Sequence, residues 1–163
     1  MKVGIVSDTH DNTELVEAAV ETFAEAGVET VVHCGDFVAP FSATPFDGDW
    51  TFYAVRGNND GEWALESTVA ELGTYCGEMG ELTLDGQAVA VYHGTSGALV
   101  DALVECGTYD YVCHGHTHEA GVEEYEGTTR INPGGIAIPP APEPFSVATL
   151  DTESGEVEFY EVG

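Results

Sequence analysis

Five short runs in this sequence combine carboxylates, imidazoles and an amide at spacings that could hold divalent metal ions. They are Asp8-x-His10, Gly35-Asp36, Gly57-Asn58-x-Asp60, His93-Gly94 and Gly115-His116-x-His118. Carboxylates ionise at neutral pH and imidazole coordinates as the neutral base, a donor set suited to Zn, Mn, Fe or Ni. In Asp8-x-His10 and His116-x-His118 the donors alternate by two, so a strictly extended chain would point both members the same way. Leaving a strand, they could fan out towards two ions. Glycines at 35, 57, 94 and 115 would let the backbone turn tightly where a Cβ would crowd a metal.

Each run has a plainer reading when taken alone. Asp36 and Asn58 would serve as turn or cap residues, and the inference rests on the ordered set. His33 and His114 are flanked by apolar residues. They read as core histidines with satisfied hydrogen bonds, or as partners behind a ligand. Asp60 is expected to fix a ligand histidine rather than touch metal. Arg56 adjoins Asn58, where a phosphate contact and a salt bridge within an acidic shell are both open readings. Cys34 and Cys113 sit beside candidate ligands and read as small buried thiols.

The elements that must position these residues alternate in type. Val3 to Ser7 reads as an apolar strand, followed by a helix capped by Asn12 or Thr13 with Leu15, Ala19 and Phe23 on one face and Gly27 closing it. Val28 to His33 and Thr51 to Val55 read as further strands. Leu65, Val69 and Leu72 mark a second helix. This β-α-β-α order predicts a partly parallel sheet. Beyond it, Asp85-Gly86 and Glu126-Gly127 read as hairpin turns, and Leu99, Val100, Leu103 and Val104 as a third helix. Tyr109 to Cys113 is a strand, and Phe145 to Leu150 with Val157 to Tyr160 a closing antiparallel pair. The proline-rich stretch from Pro139 to Pro144 reads as a stiff surface loop. Every candidate run therefore follows a predicted strand. In parallel-type sheets the carboxyl ends of strands share one ligand-binding edge. The expected fold is α/β, with two sheets between helices in one domain over residues 1–163.

Thirty Asp and Glu oppose only Lys2, Arg56 and Arg130, for a formal charge of −27. Such a surface repels itself in dilute buffer and is screened in molar salt, where the Debye length is roughly 3 Å. The expectation is a halophile's protein, with an unusually acidic mesophilic one as the alternative. Three cations cannot form a basic patch, which disfavours nucleic acid and anionic membrane as partners. The first residues run straight into a strand without a signal-peptide pattern, and no stretch reaches membrane-spanning length. A cytoplasmic location with four reduced, mostly buried cysteines follows as the expectation. Association into a homo-oligomer is left open.

The ordered motifs, from Asp8 to His118, resemble the calcineurin-like metallophosphoesterase superfamily, in particular its small bacterial and archaeal phosphodiesterases related to the vacuolar sorting subunit of retromer. The resemblance implies a four-layer α/β/β/α sandwich with two mixed sheets. It also implies Asp8, His10, Asp36 and His118 around one metal, and Asp36, Asn58, His93 and His116 around the other, with Asp36 bridging. Mn is the first expectation for the metal, with Ni, Co, Zn or Fe as candidates. The expected reaction is hydrolysis of a small phosphate ester, foremost a phosphodiester, by a dimetal-bound hydroxide, with Asp36, Asn58 and His93 catalytic. Alternatives are a protein-interaction scaffold on the same fold and a nuclease. Asn59 stands where larger relatives carry a histidine able to protonate the leaving group.

Overall fold

The computed structural model describes residues 1–136 and 144–162. In chain order the elements are β1 (Lys2–Val6), α1 (Thr13–Ala26), β2 (Thr30–His33), β3 (Thr51–Ala54), α2 (Trp63–Leu72), β4 (Thr74–Tyr75), β5 (Met79–Leu84) and β6 (Gln87–Tyr92). There follow α3 (Gly97–Glu105), β7 (Tyr111–Cys113), β8 (Gly121–Tyr125), β9 (Thr128–Asn132), β10 (Ser146–Asp151) and β11 (Val157–Glu161). Two short 3-10 turns, Pro40–Ser42 and Thr44–Phe46, lie between β2 and β3.

The strands form two mixed sheets. The first has the order β11-β10-β1-β2-β3-β4, the second β5-β6-β7-β9-β8. In the first, β1 to β4 are parallel while β10 and β11 close it antiparallel. In the second, β6, β7 and β9 are parallel, with antiparallel edges β5 and β8. The Asp85-Gly86 and Glu126-Gly127 turns join the expected hairpins. The two-residue β4 was not expected: so short a strand carries no readable alternation, and pairing with β3 defines it.

Alternation along the strands builds the layers. Val3, Ile5, Val32, Ala148 and Leu150 of the first sheet pack against Val89, Val91, Tyr111, Cys113 and Ile131 of the second, forming the core between the sheets. Residues of opposite parity face outward to helices: Val31 and Val147 meet Val16, Ala19, Phe23, Leu65 and Val69. On the far side Ala90 and Val112 meet Val104 of α3. Both faces of the central strands are thus covered, the four-layer α/β/β/α arrangement.

The Asn12 side chain accepts from the Leu15 N–H at 3.2 Å, capping α1, and Gly27 closes the helix. The buried stripe of α1 is Val16, Ala19 and Phe23, so Val16 rather than Leu15 occupies the inward position and Leu15 packs at the margin. A stripe spaced i, i+3, i+7 is as helical as one spaced by four, and the sheet selects it. In α3 likewise Val100 and Val104 are buried, whereas Leu99 is exposed. The expected stiff loop at 139–144 lies outside the described residues except for Pro144. Among the described residues no helix is long and apolar enough to cross a membrane.

Candidate metal centre

The carboxyl ends of β1, β2 and β3 in one sheet, and of β6 and β7 in the other, open onto a common edge. All seven candidate ligands, Asp8, His10, Asp36, Asn58, His93, His116 and His118, meet there. Asp36 Oδ2 lies 3.4 Å from His10 Nε2 and 3.4 Å from His93 Nε2, between the two imidazoles. Asp8 Oδ1 lies 3.3 Å from His118 Nε2, 3.8 Å from His10 Nε2 and 3.9 Å from His93 Nε2. Asn58 Oδ1 is 2.9 Å from His93 Nε2 and 3.0 Å from His116 Nδ1. Two groups, Asp8 with His10 and His118, and Asp8 with Asp36 and His93, each gather donor atoms within 4.8 Å of one another.

Two of these atoms have no hydrogen-bond partner among the described residues. Asp8 Oδ1 and His10 Nε2 are buried without a hydrogen bond, an expensive condition for a polar atom. The other Asp8 oxygen, Oδ2, is satisfied by the Ser7 hydroxyl at 2.6 Å and the His116 N–H at 2.9 Å. His93 donates from Nδ1 to the Cys34 carbonyl at 2.8 Å, and His118 from Nδ1 to the Ile136 carbonyl at 2.7 Å. Each therefore turns an Nε2 lone pair towards carboxylate or amide oxygens. Lone pairs brought together in this way are stabilised by a cation among them, so the donor set fits divalent metal.

Electrostatics agree. Burial would raise the Asp8 carboxyl, but the imidazoles of His10 and His118 and the Ser7 hydroxyl hold it well below the ordinary carboxylate range. Burial also opposes ionisation of Asp36, yet His93 and the two N–H groups of Asn59 bring it down to about 2. His93 loses by burial and gains more from Asp36 and Asp8, so its pKa is raised. Both carboxylates are anions in the interior, and the site calls for positive charge.

The backbone adopts unusual geometry here. Asp8, His10, Asp36, His116 and His118 all have positive φ, between 41° and 71°. Non-glycine residues seldom take this region, and strain of this kind concentrates at functional sites. Packing is equally tight: a Cβ on Gly57 would collide with the Asp36 carboxylate, and one on Gly115 with Ser7 Oγ and Asp8 Oδ2.

The supporting residues differ in part from expectation. Asp60 touches no histidine; its carboxylate accepts the backbone N–H groups of Asp36 (2.9 Å), Gly57 (2.8 Å) and Val38 (2.8 Å), tying the two loops together. Arg56 forms the salt bridge, Nη1 to Glu78 Oε1 at 2.8 Å, and donates from Nε to the Asp60 carbonyl at 3.1 Å. His33 is fully buried, accepts from the Gly35 N–H at Nδ1, lies against Thr9 Oγ1 at Nε2, and stacks on Phe37; burial pushes its pKa down to about 3. His114 is buried too, pushed down to about 4, with Arg130 donating to its Nε2 at 2.8 Å. Cys34 and Cys113 are buried thiols, Cys113 raised to about 12 by burial and Cys34 also well above its ordinary value. Cys106, however, is exposed and Cys76 half-buried, because each lies outside the strand interiors.

A sixth strand end contributes that the motifs did not reveal. At the end of β9, Asn132 donates from Nδ2 to Thr117 Oγ1 at 2.9 Å; beyond it, the Ile136 N–H donates to the Asp8 carbonyl at 3.1 Å, and the Ile136 carbonyl orients His118. Gly135 passes so close to Asp8 and His118 that a Cβ would meet them at 2.6 and 2.8 Å. The available signal was Gly134-Gly135 directly behind a strand.

Residues 1–155 match the calcineurin-like phosphoesterase superfamily domain. A phosphodiesterase of Methanocaldococcus jannaschii is 35% identical over 165 residues, covering 96% of each chain. The solved structure of an archaeal phosphodiesterase superposes with a TM-score of 0.92 at 34% identity, covering 100% of both chains. Vacuolar protein sorting 29 of Cryptosporidium parvum shares the fold alone, with a TM-score of 0.70 at 19% identity over 98% of this chain and 95% of that one.

Proposed function

This chain belongs to the calcineurin-like phosphoesterase superfamily, and from that premise we propose that it is a phosphodiesterase acting on small phosphate esters with two divalent metal ions. Asp8, His10, Asp36 and His118 would hold one ion, and Asp36, Asn58, His93 and His116 the other. The position of Asp36 Oδ2 between His10 and His93 supports its role as the shared ligand. Bound there, the ions supply Lewis acidity, offsetting charge on the phosphate and acidifying water. Asn59 fixes the Asp36 carboxylate, Ser7 orients Asp8, and the Cys34 and Ile136 carbonyls set the tautomers of His93 and His118. Asp36, Asn58 and His93 are the residues we assign to catalysis.

The observation that carries the proposal is the pair of orphaned buried atoms, Asp8 Oδ1 and His10 Nε2, inside a set of donors aimed at one another. A scaffold using this fold as a surface would have no need of them. A nuclease would need cations to track a strand, and this chain has three in all. The same reading takes residues 1–163 as one domain working in the cytoplasm, in keeping with its four free cysteines. It takes Mn as the favoured metal because imidazole-rich sites suit softer ions than Mg.

The test is hydrolysis of bis-p-nitrophenyl phosphate by protein stripped with chelator and reloaded with single metals, with metal content measured directly. Activity should vanish on stripping and return with Mn, Ni or Co more fully than with Mg. Asp36→Ala should be the most damaging single change, since it removes a donor from both sites. An Asp36→Ala protein that kept full activity and two metals per chain would overturn the assignment.

A further inference from the structure

We propose that a cavity beside the metal centre is a base-binding subsite, in which Trp63 stacks on the nucleobase of a small nucleotide phosphodiester. This rests on the phosphodiesterase reading above and names the substrate class it serves.

The cavity, of about 560 Å³, is walled by Arg56, Asp60, Trp63, Glu66, Tyr75 and Glu78 among others. That volume suits a small-molecule site. Its place follows from topology. The order β1-β2-β3-β4 puts β4 next in line after the strands that deliver Asp8, Asp36 and Asn58, and all four run parallel. The cavity therefore lies at the same sheet edge as the ligand cluster, one strand further along. A single loop separates them. Asn58 and Asn59 face the cluster, through contacts with His93, His116 and Asp36, while Asp60, Gly61 and Glu62 line the cavity. Asn58 and Trp63 are five residues apart, a span of at most ~17 Å even fully extended. Asp60 joins the two spaces, lining the cavity while its carboxylate accepts the Asp36 N–H at 2.9 Å and the Gly57 N–H at 2.8 Å.

Trp63 is the least explained large side chain among the described residues. It begins α2 and is 85% exposed, whereas Leu65 and Val69 of the same helix are buried in the core. It contributes almost nothing to packing, yet it stands at the wall of a cavity that adjoins the candidate chemistry. An indole so placed is a platform on which any planar base can stack.

The other walls select the kind of nucleotide. Glu62, Glu66 and Glu78 border the cavity, and Arg56 is engaged by Glu78 and the Asp60 carbonyl. A second phosphate would meet carboxylates without a free cation, so a di- or triphosphate chain is excluded from this space. Carboxylates accept hydrogen bonds from the exocyclic amino groups and ring N–H groups of bases. The fitting substrate carries one phosphate, placed at the metal centre, and a nucleoside in the cavity.

The experiment compares thymidine 5′-(p-nitrophenyl) phosphate with methyl p-nitrophenyl phosphate, which share a leaving group and differ in the nucleoside. With Mn-loaded protein, kcat/KM should favour the nucleoside ester by about 10-fold or more, and Trp63→Ala should erase most of that ratio. Trp63→Phe, which keeps an aromatic face, should retain most of it. Equal kcat/KM for the two esters, or a Trp63→Ala loss shared equally by both, overturns the subsite and leaves the phosphodiesterase reading standing. So does preference for an oligodeoxynucleotide over the mononucleotide ester. Binding is read separately, from quenching of tryptophan emission by adenosine 5′-monophosphate in Trp50→Phe, where Trp63 is the only indole; the wild-type minus Trp63→Phe difference gives the same signal should Trp50→Phe fold poorly. Saturable quenching supports the subsite, and quenching that rises linearly without saturation overturns it. Saturable quenching with neither ester hydrolysed sinks the phosphodiesterase reading while the subsite survives.

Discussion

Asn59 holds both oxygens of Asp36: its Nδ2 donates to Oδ2 and its backbone N–H to Oδ1, each at 2.8 Å. The position where the family resemblance leads one to expect a proton-donating histidine is thus used here to fix the carboxylate proposed as the shared ligand.

An amide so engaged has no labile proton for a leaving group. General-acid help is worth about 10²–10⁴-fold in rate, and its absence falls hardest on poor leaving groups. Across phosphodiesters of graded leaving-group pKa, at saturating metal, the rate should fall steeply as the pKa rises. His33 offers no rescue, since it is fully buried and its pKa is pushed down to about 3. Asn59→His should flatten the slope while lowering the rate for aryl esters, because it exchanges the Asp36 contact for an acid. A flat wild-type dependence would sink this reading.

The extent of the site that was legible in the sequence follows from what each residue needs. Ligand types, their order and their places behind strands are local properties, so the convergence of the seven candidate donors on one sheet edge is legible in the sequence. Partners that act through backbone groups are not. Asp60 was expected to hold a histidine but takes three amide N–H groups from two loops, a pairing that no spacing encodes. Ile136 acts through its carbonyl, and any residue type would have served. Gly35 and Gly94 take the positive φ expected of tight turns, but five candidate ligands, Asp8, His10, Asp36, His116 and His118, take it as well, which no residue type announces. In the fold, alternation revealed the long strands, whereas the two-residue β4 and the choice of Val16 over Leu15 were decided by tertiary packing.

Asp60 should matter for both fold and metal. Replacing a carboxylate that satisfies two buried N–H groups and the part-buried one of Val38 with Ala leaves those donors without partners, at about 1–3 kcal/mol for each buried group left unpaired. Asp60→Ala should lower stability in urea denaturation by several-fold more than a surface Glu→Ala change. It should also weaken metal affinity measured by titration calorimetry, because the Asp36 and Gly57 backbones lose their tie. Asp60→Asn should be intermediate, keeping one acceptor oxygen. Unchanged metal affinity in folded Asp60→Ala would show that the tie does not position Asp36.

His33 should impose a stability loss in acid. Its folded pKa, about 3, lies below the ordinary value of 6.5. A group depressed in this way contributes fully above pH 6.5. Below that the unfolded chain takes up a proton that the native state refuses, until about pH 3. The slope is about 1.4 kcal/mol per pH unit. Protonation of the many carboxylates acts in the opposite sense, by relieving repulsion, so the difference between wild type and His33→Asn isolates the effect. Urea unfolding at pH 7, 6, 5 and 4 should show the wild type losing stability relative to His33→Asn at each step below 6.5. Parallel pH profiles would exclude a buried neutral imidazole.

Salt should stabilise the fold strongly. The formal charge is −27, and among the described residues the arginines form only surface bridges, Arg56 with Glu78 and Arg130 with Asp101 and Glu123. Unscreened repulsion among carboxylates therefore exceeds what salt bridges offset. Raising KCl from 0.1 to 1 M shortens the Debye length from about 10 to about 3 Å. Each ~1 kcal/mol of repulsion removed should raise Tm by about 2–4 °C for a chain of this size. NaCl and KCl at equal ionic strength should act alike if screening is the cause, and sucrose at matched osmolality should not reproduce the slope. Most of the gain should appear below 1 M, where the Debye length changes most; a further rise at 2–4 M would point to ion exclusion from the acidic surface instead. A Tm indifferent to KCl over the whole range would end the case for a salt-adapted surface, because a chain with so few cations has no other means of neutralising it.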